Sequence, residues 1–142
     1  EIAQCLVGSE MCIRDRHEKY PLYHYCERTR WHLHTQYNHA PVLRELDPEP
    51  YLRMNPVDAE PRGIVEGDYV EAYNDRGHCV CKVKFDMGVR PGMVSSPKGW
   101  HRGAYVSGSY QELTNDHLNL LHMNTSFDDT LVEVRKYEGE VK

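Results

Sequence analysis

Basic and imidazole side chains are concentrated between residues 28 and 39, the part of the sequence best equipped for chemistry. Arg30, His32 and His34 alternate along this run, so an extended backbone would place them on one face. A guanidinium group binds phosphate through two hydrogen bonds. Histidine and Gln36 would meet the edge of a fused ring. We therefore interpret the run as a site for an anion and a heterocycle.

Two other interpretations of the same run are open. His32, His34 and His39 would bind a metal ion, because neutral imidazoles two positions apart on a strand can chelate. The chain shows no fourth ligand at a fixed spacing that would complete such a site. Alternatively, the run is a solvated edge that carries histidines by chance.

A second candidate segment, residues 95–103, reads Ser-Ser-Pro-Lys-Gly-Trp-His-Arg-Gly. Glycine allows backbone N–H groups to approach a ligand, and a flat aromatic ring beside basic groups suits a planar, anionic partner. A third segment, residues 111–116, carries Thr114 and Asp116, which would cap a helix or bond to a purine edge. Capping is the commoner role for these residue types.

Closely spaced turn residues divide the chain into short segments, a pattern typical of an all-β barrel or sandwich with small helices. The segment of residues 78–85 alternates and places Cys79 and Cys81 on one face, where core packing is their expected role. Strands are predicted at residues 20–26, 51–54, 69–73, 78–85, 93–95 and 130–136, with a hairpin turn at residues 74–77.

One short helix has clear end signals. Asn55 can cap it, Pro56 suits its first position, and Asp58 would face its free N–H groups. Gly63 is expected to end it, because glycine adopts the left-handed conformation at a helix C-terminus.

Composition excludes several classes of protein. The 142 residues (16.6 kDa) allow one domain, and no run approaches the roughly 18 apolar residues of a membrane span. The formal net charge of −5 argues against a dedicated nucleic-acid binder, which usually carries a basic face. With a hydrophobic share of 39%, the chain has enough apolar residues for a folded core.

The first sixteen residues stand apart from the rest. Residues 6–16 look like the translation of a transposase adapter used in sequencing-library preparation, and the segment lacks the features of a signal peptide. We therefore expect residues 1–16 to be a non-native segment and the domain to occupy residues 17–142, truncated at its N-terminus.

Nine motifs in order resemble the C-terminal molybdopterin-dinucleotide-binding domain of the dimethyl-sulfoxide-reductase family. Each motif is weak alone, but their order over residues 20–137 is specific. The motifs are Tyr20-Pro21-Leu22, the run from Arg30 to Thr35, Glu49-Pro50 with the run from Met54 to Ala59, Arg62-Gly63-Ile64 with the run from Gly67 to Val70, Asn74-Asp75-Arg76-Gly77, Val89-Arg90-Pro91-Gly92, Lys98-Gly99-Trp100, Leu113-Thr114-Asn115-Asp116, and Val132-Glu133-Val134.

The resemblance implies a mainly β fold, namely a six-stranded double-psi β-barrel with short helices. The domain would cover one side of a bis(molybdopterin guanine dinucleotide) cofactor with molybdenum or tungsten, and it would supply no metal ligand and no catalytic residue. The implied cofactor-binding residues are Thr29, Arg30, His32, His34, Thr35 and Gln36 near a pterin and its phosphate, Lys98, Gly99, Trp100 and His101 on a second loop, and Gln111, Thr114 and Asp116 near the guanine.

The sequence departs from the family pattern at two of these positions. The family often has asparagine where Gln111 stands, and an aromatic or small residue where His101 stands. The assignments of Gln111 and His101 therefore rest on position alone.

These implications make the chain a fragment of an anaerobic molybdenum or tungsten oxidoreductase, inactive alone. The metal ligand and the cysteines of a [4Fe-4S] cluster would lie upstream. Its partners would be the upstream domains and an iron–sulfur electron-transfer subunit, with no nucleic acid and no membrane insertion. The alternatives are a stand-alone metal-binding β-barrel that uses His32, His34 and His39, and a related barrel that serves as an interaction module. Substrate, metal and compartment are left open.

Overall fold

The computed structural model describes residues 18–115, 118–119, 123–125, 128 and 130–141. The predicted adapter segment, residues 1–16, lies outside this range, so its origin stays a prediction. The strands are β1 (Leu22–Glu27), β2 (Tyr51–Met54), β3 (Tyr69–Tyr73), β4 (His78–Phe85), β5 (Met93–Pro97), β6 (Ser107–Gly108), β7 (Leu118–Asn119), β8 (Asn124–Thr125) and β9 (Thr130–Lys136). The helices are α1 (Pro41–Leu46), α2 (Pro56–Ala59) and 3-10 turns at Glu60–Arg62, Arg102–Ala104 and Tyr110–Glu112.

Six of these strands form a closed barrel. Around it the order is β2-β5-β1-β9-β3-β4, and the pairing of β4 with β2 closes the circle. The β1–β5 and β2–β4 pairs are parallel, and the other pairs are antiparallel. The prediction of a mainly β, six-stranded double-psi barrel with short helices is confirmed.

The barrel interior is filled by the alternating apolar residues of its strands. Cys79, Cys81 and Val83 of β4 are at most 2% exposed and belong to one hydrophobic cluster with Leu52 and Val132. Core packing of both cysteines is therefore confirmed. Their close contact and burial raise the pKa of the Cys81 thiol, which keeps it protonated. Within the described residues, no helix has the length and hydropathy needed to cross a membrane.

The strand predictions are correct apart from their ends, because β1 begins at Leu22 and β5 extends to Pro97. The hairpin turn between β3 and β4 is also confirmed. The Asn74 N–H donates to the Gly77 carbonyl at 3.0 Å, and the Asn74 side chain accepts from the backbone N–H groups of Arg76 and Gly77.

The predicted helix start at α2 is confirmed, with one correction. Asn55 accepts a hydrogen bond from the Val57 N–H at 3.0 Å, and Gly63 ends the following 3-10 turn with a φ of 65°. The Asp58 carboxylate accepts from the Gly92 N–H at 2.7 Å. Asp58 therefore joins α2 to the turn before β5, instead of serving only the N–H groups of its own helix.

Candidate functional site

Two loops leave the barrel side by side because the strands before them are parallel neighbours. Glu27, at the end of β1, pairs with Pro97, at the end of β5. The next residue, Lys98, donates its backbone N–H to the Glu27 carbonyl at 2.8 Å. The first loop (residues 28–40) and the second loop (residues 98–101) therefore begin at the same end of the barrel, although some 60 residues of sequence separate them.

The first loop is a compact series of turns, and the expectation of an extended chain is wrong. Residues Leu33 and Gln36 form a β-bridge, in which the Gln36 N–H donates to the Leu33 carbonyl at 2.9 Å. His34 and Tyr37 have φ angles of 52° and 67°, in the left-handed region. These two residues reverse the backbone, so Arg30, His32 and His34 do not share one face of a strand. Thr29 stabilises the start of the turn through contacts of its hydroxyl with the backbone of His32.

The two loops are in direct contact at Gly99. With a φ of +95°, Gly99 packs so closely against the first loop that a Cβ atom there would lie 1.9 Å from the His34 carbonyl oxygen. The Asn38 side-chain amide donates to the Gly99 carbonyl at 2.7 Å. Glycine is therefore required at this position for conformation and for space.

His32 and Trp100 form a second contact between the loops. Their ring centres lie 5.2 Å apart in an edge-to-face arrangement, which is favourable for aromatic rings. The His32 Nε2 atom also lies 3.4 Å from an Asp47 carboxylate oxygen, at the C-terminus of α1. All three side chains are buried, so they form the wall between the loops and α1.

Most of the remaining predicted residues of the two loops lie at the rim, where they face solvent. The Arg30 guanidinium is exposed and stands 5.9 Å from the centre of the Trp31 ring. The His39 and His101 rings stack across the two loops at 6.4 Å. The Lys98 ammonium is partly buried, 3.9 Å from an Asp128 carboxylate oxygen. His34, Thr35 and Gln36 are also exposed.

The third predicted segment reaches the second loop through a residue that the sequence did not single out. Burial raises the pKa of the Tyr110 hydroxyl. A hydrogen bond between the Gly99 backbone and this hydroxyl opposes the shift and joins Tyr110 to the second loop. Gln111 is exposed, and the Thr114 hydroxyl donates to the Gln111 carbonyl at 2.9 Å, a local turn contact. Asp116 lies outside the described residues.

The three histidines do not form a metal site. The first of them, His32, turns its Nδ1 to the His34 carbonyl at 2.8 Å and its Nε2 to Asp47, while His39 stacks on His101. In the part of the chain that the structure describes, no group of three histidine, cysteine or acidic side chains is placed to hold a metal ion. The metal-binding alternative therefore has no structural support.

Cys26, at the mouth of the barrel, has a thiol whose surroundings favour the protonated form. Burial and the neighbouring Asp128 carboxylate raise the pKa of the Cys26 thiol to about 12, while Lys98 opposes the shift. The same carboxylate accepts the Cys26 backbone N–H at 3.0 Å. Asp128 therefore organises this corner of the site, next to Lys98, and keeps the sulfur protonated at neutral pH.

Three residues of the site were missed from the sequence: Asn38, Asp47 and Tyr110. Each is buried, and each contacts a residue on a different segment of the chain. Asn38 lies within the run of residues 28–39, directly before His39, so its position was a weak signal. Asp47 and Tyr110 gave none, because their roles depend on long-range contacts.

This geometry agrees with the comparison to known families. The model of the molybdopterin dinucleotide-binding domain matches residues 22–131, which include five of the six barrel strands in full, both loops and the first two residues of β9. The chain belongs to this family. It is a molybdopterin dinucleotide-binding domain of the kind found in catalytic subunits of the dimethyl-sulfoxide-reductase family.

Curated relatives support this assignment and show that the domain is one part of a larger protein. The chain is 36% identical over 123 residues to the catalytic chain of a putative dimethyl sulfoxide reductase of Halobacterium salinarum, and the match covers 87% of this chain and 15% of the relative. It is 32% identical over 139 residues to trimethylamine-N-oxide reductase 1 of Escherichia coli, with 88% and 16% covered. The molybdopterin-binding domain therefore spans about 15% of the length of these relatives.

A solved structure confirms the fold. The acetylene hydratase from Pelobacter acetylenicus matches this domain with a TM-score of 0.77 over 90% of the chain and 20% of that protein. The sequence identity is 17%, so the likeness supports the barrel architecture and not a shared reaction.

Proposed function

We propose that this domain caps a bis(molybdopterin guanine dinucleotide) cofactor with molybdenum or tungsten, as the C-terminal part of an oxidoreductase catalytic subunit. The observation that supports this most is the junction at Gly99, where a Cβ atom has no room against the His34 carbonyl oxygen. Two loops far apart in sequence are joined there into one polar surface. A large cofactor needs such a surface, carried on loops of a rigid scaffold.

The chemistry of the exposed side chains fits the parts of this cofactor. Arg30 presents five N–H donors to solvent and suits a pyrophosphate oxygen pair. Lys98 adds a second cation beside the same loop junction. The exposed His34, Thr35 and Gln36 offer hydrogen-bond donors and acceptors for the edge of a pterin ring.

Within the site we assign different roles to the rim and to the wall. The rim residues bind and orient the cofactor, whereas His32 and Trp100 exclude water and hold the loops together from behind. When bound, the cofactor supplies the redox chemistry at its metal. The domain orients the cofactor and makes hydrogen bonds to it. These bonds tune the metal centre, and the domain supplies no ligand to the metal.

The proposed binding role is tested by removing the two cations from the full-length catalytic subunit that carries this domain. We expect R30Q/K98Q to retain at least about tenfold less guanine nucleotide, measured after acid release from the purified subunit, because two charge-assisted hydrogen bonds are lost. The matched control is R90Q, since Arg90 is exposed and precedes β5 at the other end of the barrel. Equal nucleotide content in all three proteins would contradict the proposal.

We also propose that the chain has no turnover alone, because the metal ligand, a [4Fe-4S] cluster and the substrate pocket would belong to upstream parts. An iron–sulfur electron-transfer subunit would be the external partner. The test adds isolated cofactor, a sulfoxide substrate and a chemical reductant that supplies two electrons per sulfoxide to the 142-residue chain, and measures the sulfide formed. Robust turnover would overturn this assignment.

A further inference from the structure

The contact of His32 with Asp47 is the least exposed ion pair of the described residues, with side chains 4% and 5% exposed. Buried ionisable groups are unfavourable unless they are paired and hydrogen-bonded. The pair lies behind the rim of the proposed cofactor surface, where it meets both loops and α1. Its protonation therefore bears on how the site is held together.

The tautomer of His32 follows from its neighbours. Its Nδ1 atom lies 2.8 Å from the His34 carbonyl oxygen, and a carbonyl oxygen only accepts hydrogen bonds, so Nδ1 carries a proton. The second nitrogen, Nε2, faces an Asp47 carboxylate oxygen at 3.4 Å. If His32 were neutral and Asp47 ionised, two acceptors would face each other. One further proton must therefore lie between Nε2 and the carboxyl group.

Both partners of this shared proton are anchored. Asp47 caps α1, where its backbone N–H donates to the Leu43 carbonyl at 3.0 Å. His32 packs edge-to-face with Trp100 and bonds to the His34 carbonyl, which itself contacts Gly99. The pair thus links the end of α1 to the first and the second loop.

We propose that Asp47 is a positioning residue of the cofactor surface, and that one proton shared with His32 fixes the imidazole between the His34 carbonyl and Trp100. The shared proton does not depend on the proposed function, whereas the effect of Asp47 on cofactor binding rests on that function. Without Asp47 the imidazole loses one anchor, and the loop junction loses its support from α1.

The surroundings of the pair favour retention of the proton. Besides His32, the groups that face Asp47 are Lys84 from β4, and Arg53 and Tyr51 from β2. Burial raises the pKa of the Asp47 carboxyl group, while His32 and the two cations oppose the shift. Arg44 of α1 lines a small pocket together with His32 and Asp47. The net direction favours the protonated Asp47 carboxyl group, in agreement with the proton that two facing acceptors require.

Nitrogen NMR of the 142-residue chain, labelled at histidine, tests the shared proton without any cofactor. The H32Q variant identifies the signal of His32. We expect this signal to show a protonated Nδ1 and a hydrogen-bonded Nε2. In D47N the asparagine amide can donate to Nε2, so we expect neutral His32 with unchanged Nδ1. An unprotonated Nδ1, or an Nε2 without a hydrogen bond in the parent chain, would overturn the proposal.

Guanine nucleotide released from the full-length protein tests the positioning role. We expect about tenfold lower retention in D47A and rescue in D47N, because the amide restores a hydrogen bond to His32. The control is E45Q, which removes an exposed carboxylate two residues away. Retention in D47A equal to that of E45Q would refute positioning by Asp47. A parent protein without guanine nucleotide would contradict the proposed function, and the NMR result would still decide whether the proton is shared.

Discussion

The two ends of the barrel differ in how completely their buried polar groups are hydrogen-bonded, as two asparagines show. Asn55 lies at the closed end, formed by α2 and residues 86–92, and both ends of its amide are used: it accepts from the Val57 N–H and donates to the Val89 carbonyl at 2.7 Å. Asn38 lies at the loop end, formed by the two loops and α1. Its amide nitrogen donates to Gly99, but its buried oxygen has no hydrogen-bond partner among the described residues.

Another atom at the loop end shares this property. The buried Trp100 Nε1 also has no hydrogen-bond partner within the described part of the chain. An unsatisfied buried polar group costs about 1–3 kcal/mol. The closed end is therefore internally complete, whereas the loop end keeps polar capacity beside the surface that we assign to the cofactor.

The largest expected effect separates the two ends by their glycines. Gly99 at the loop end and Gly92 at the closed end both have positive φ angles, but only Gly99 has backbone atoms in the space of a Cβ. We expect G99A to lower the free energy of unfolding by about 4 kcal/mol, from strain and overlap together. G92A should lose only about 1 kcal/mol, from the conformation. Urea denaturation measures both, and equal losses would show that the loop junction is not tightly packed.

A second prediction concerns the barrel interior, where His24 is fully buried and its Nε2 lies 2.5 Å from the Ser96 hydroxyl. Burial lowers the pKa of His24 to about 4 from its ordinary value near 6.5. The folded state therefore disfavours the charged form, so this contribution to stability is complete above pH 6.5 and is lost as the pH falls towards 4. The loss amounts to about 3 kcal/mol.

The measurement is the free energy of unfolding of the parent chain and of H24Q at several pH values. We expect the difference in stability between them to change between pH 6.5 and 4, because only the parent chain has an imidazole to charge there. The exposed His101 provides the control variant H101Q, which should follow the parent chain. A parallel pH dependence of H24Q and the parent chain would show that His24 is accessible to protons when folded.

A third prediction compares the stability lost when each of the two asparagines is replaced by alanine. We expect N55A to lower the free energy of unfolding by about 2 kcal/mol, because the helix cap and a second buried hydrogen bond are lost together. N38A should lose about 1 kcal/mol, because it removes one hydrogen bond and also an unsatisfied oxygen. Chemical denaturation measures the free energy of unfolding of both variants. A larger loss in N38A than in N55A would show that the loop end does not leave polar groups unsatisfied.

The closed end and the strands were accessible from sequence because their signals are local. The alternation of β4 and the Asn55 cap each depend on residues a few positions apart, and both appear in the structure as predicted. The loop end depends on contacts between distant residues. His34 and Tyr37 adopt the left-handed backbone conformation although neither is glycine. No local sequence pattern predicts such turns.

The order of the motifs identified the candidate site better than the chemistry of any one segment. Lys98, Gly99 and Trp100 were grouped with the histidine run through the family resemblance, and the parallel pairing of β1 with β5 gives that grouping its physical basis. The pair of His32 with Asp47 was not foreseen, because its residues belong to different elements and the carboxylate looked like an ordinary loop residue.

A structure of the intact catalytic subunit with its cofactor bound would test most directly whether the two loops bind the cofactor. We expect phosphate oxygens of the cofactor to lie within hydrogen-bond distance of Arg30 or Lys98, and ring atoms to contact the exposed edge of the first loop. A cofactor that contacts the closed end of the barrel, or that leaves both loops in solvent, would contradict this expectation.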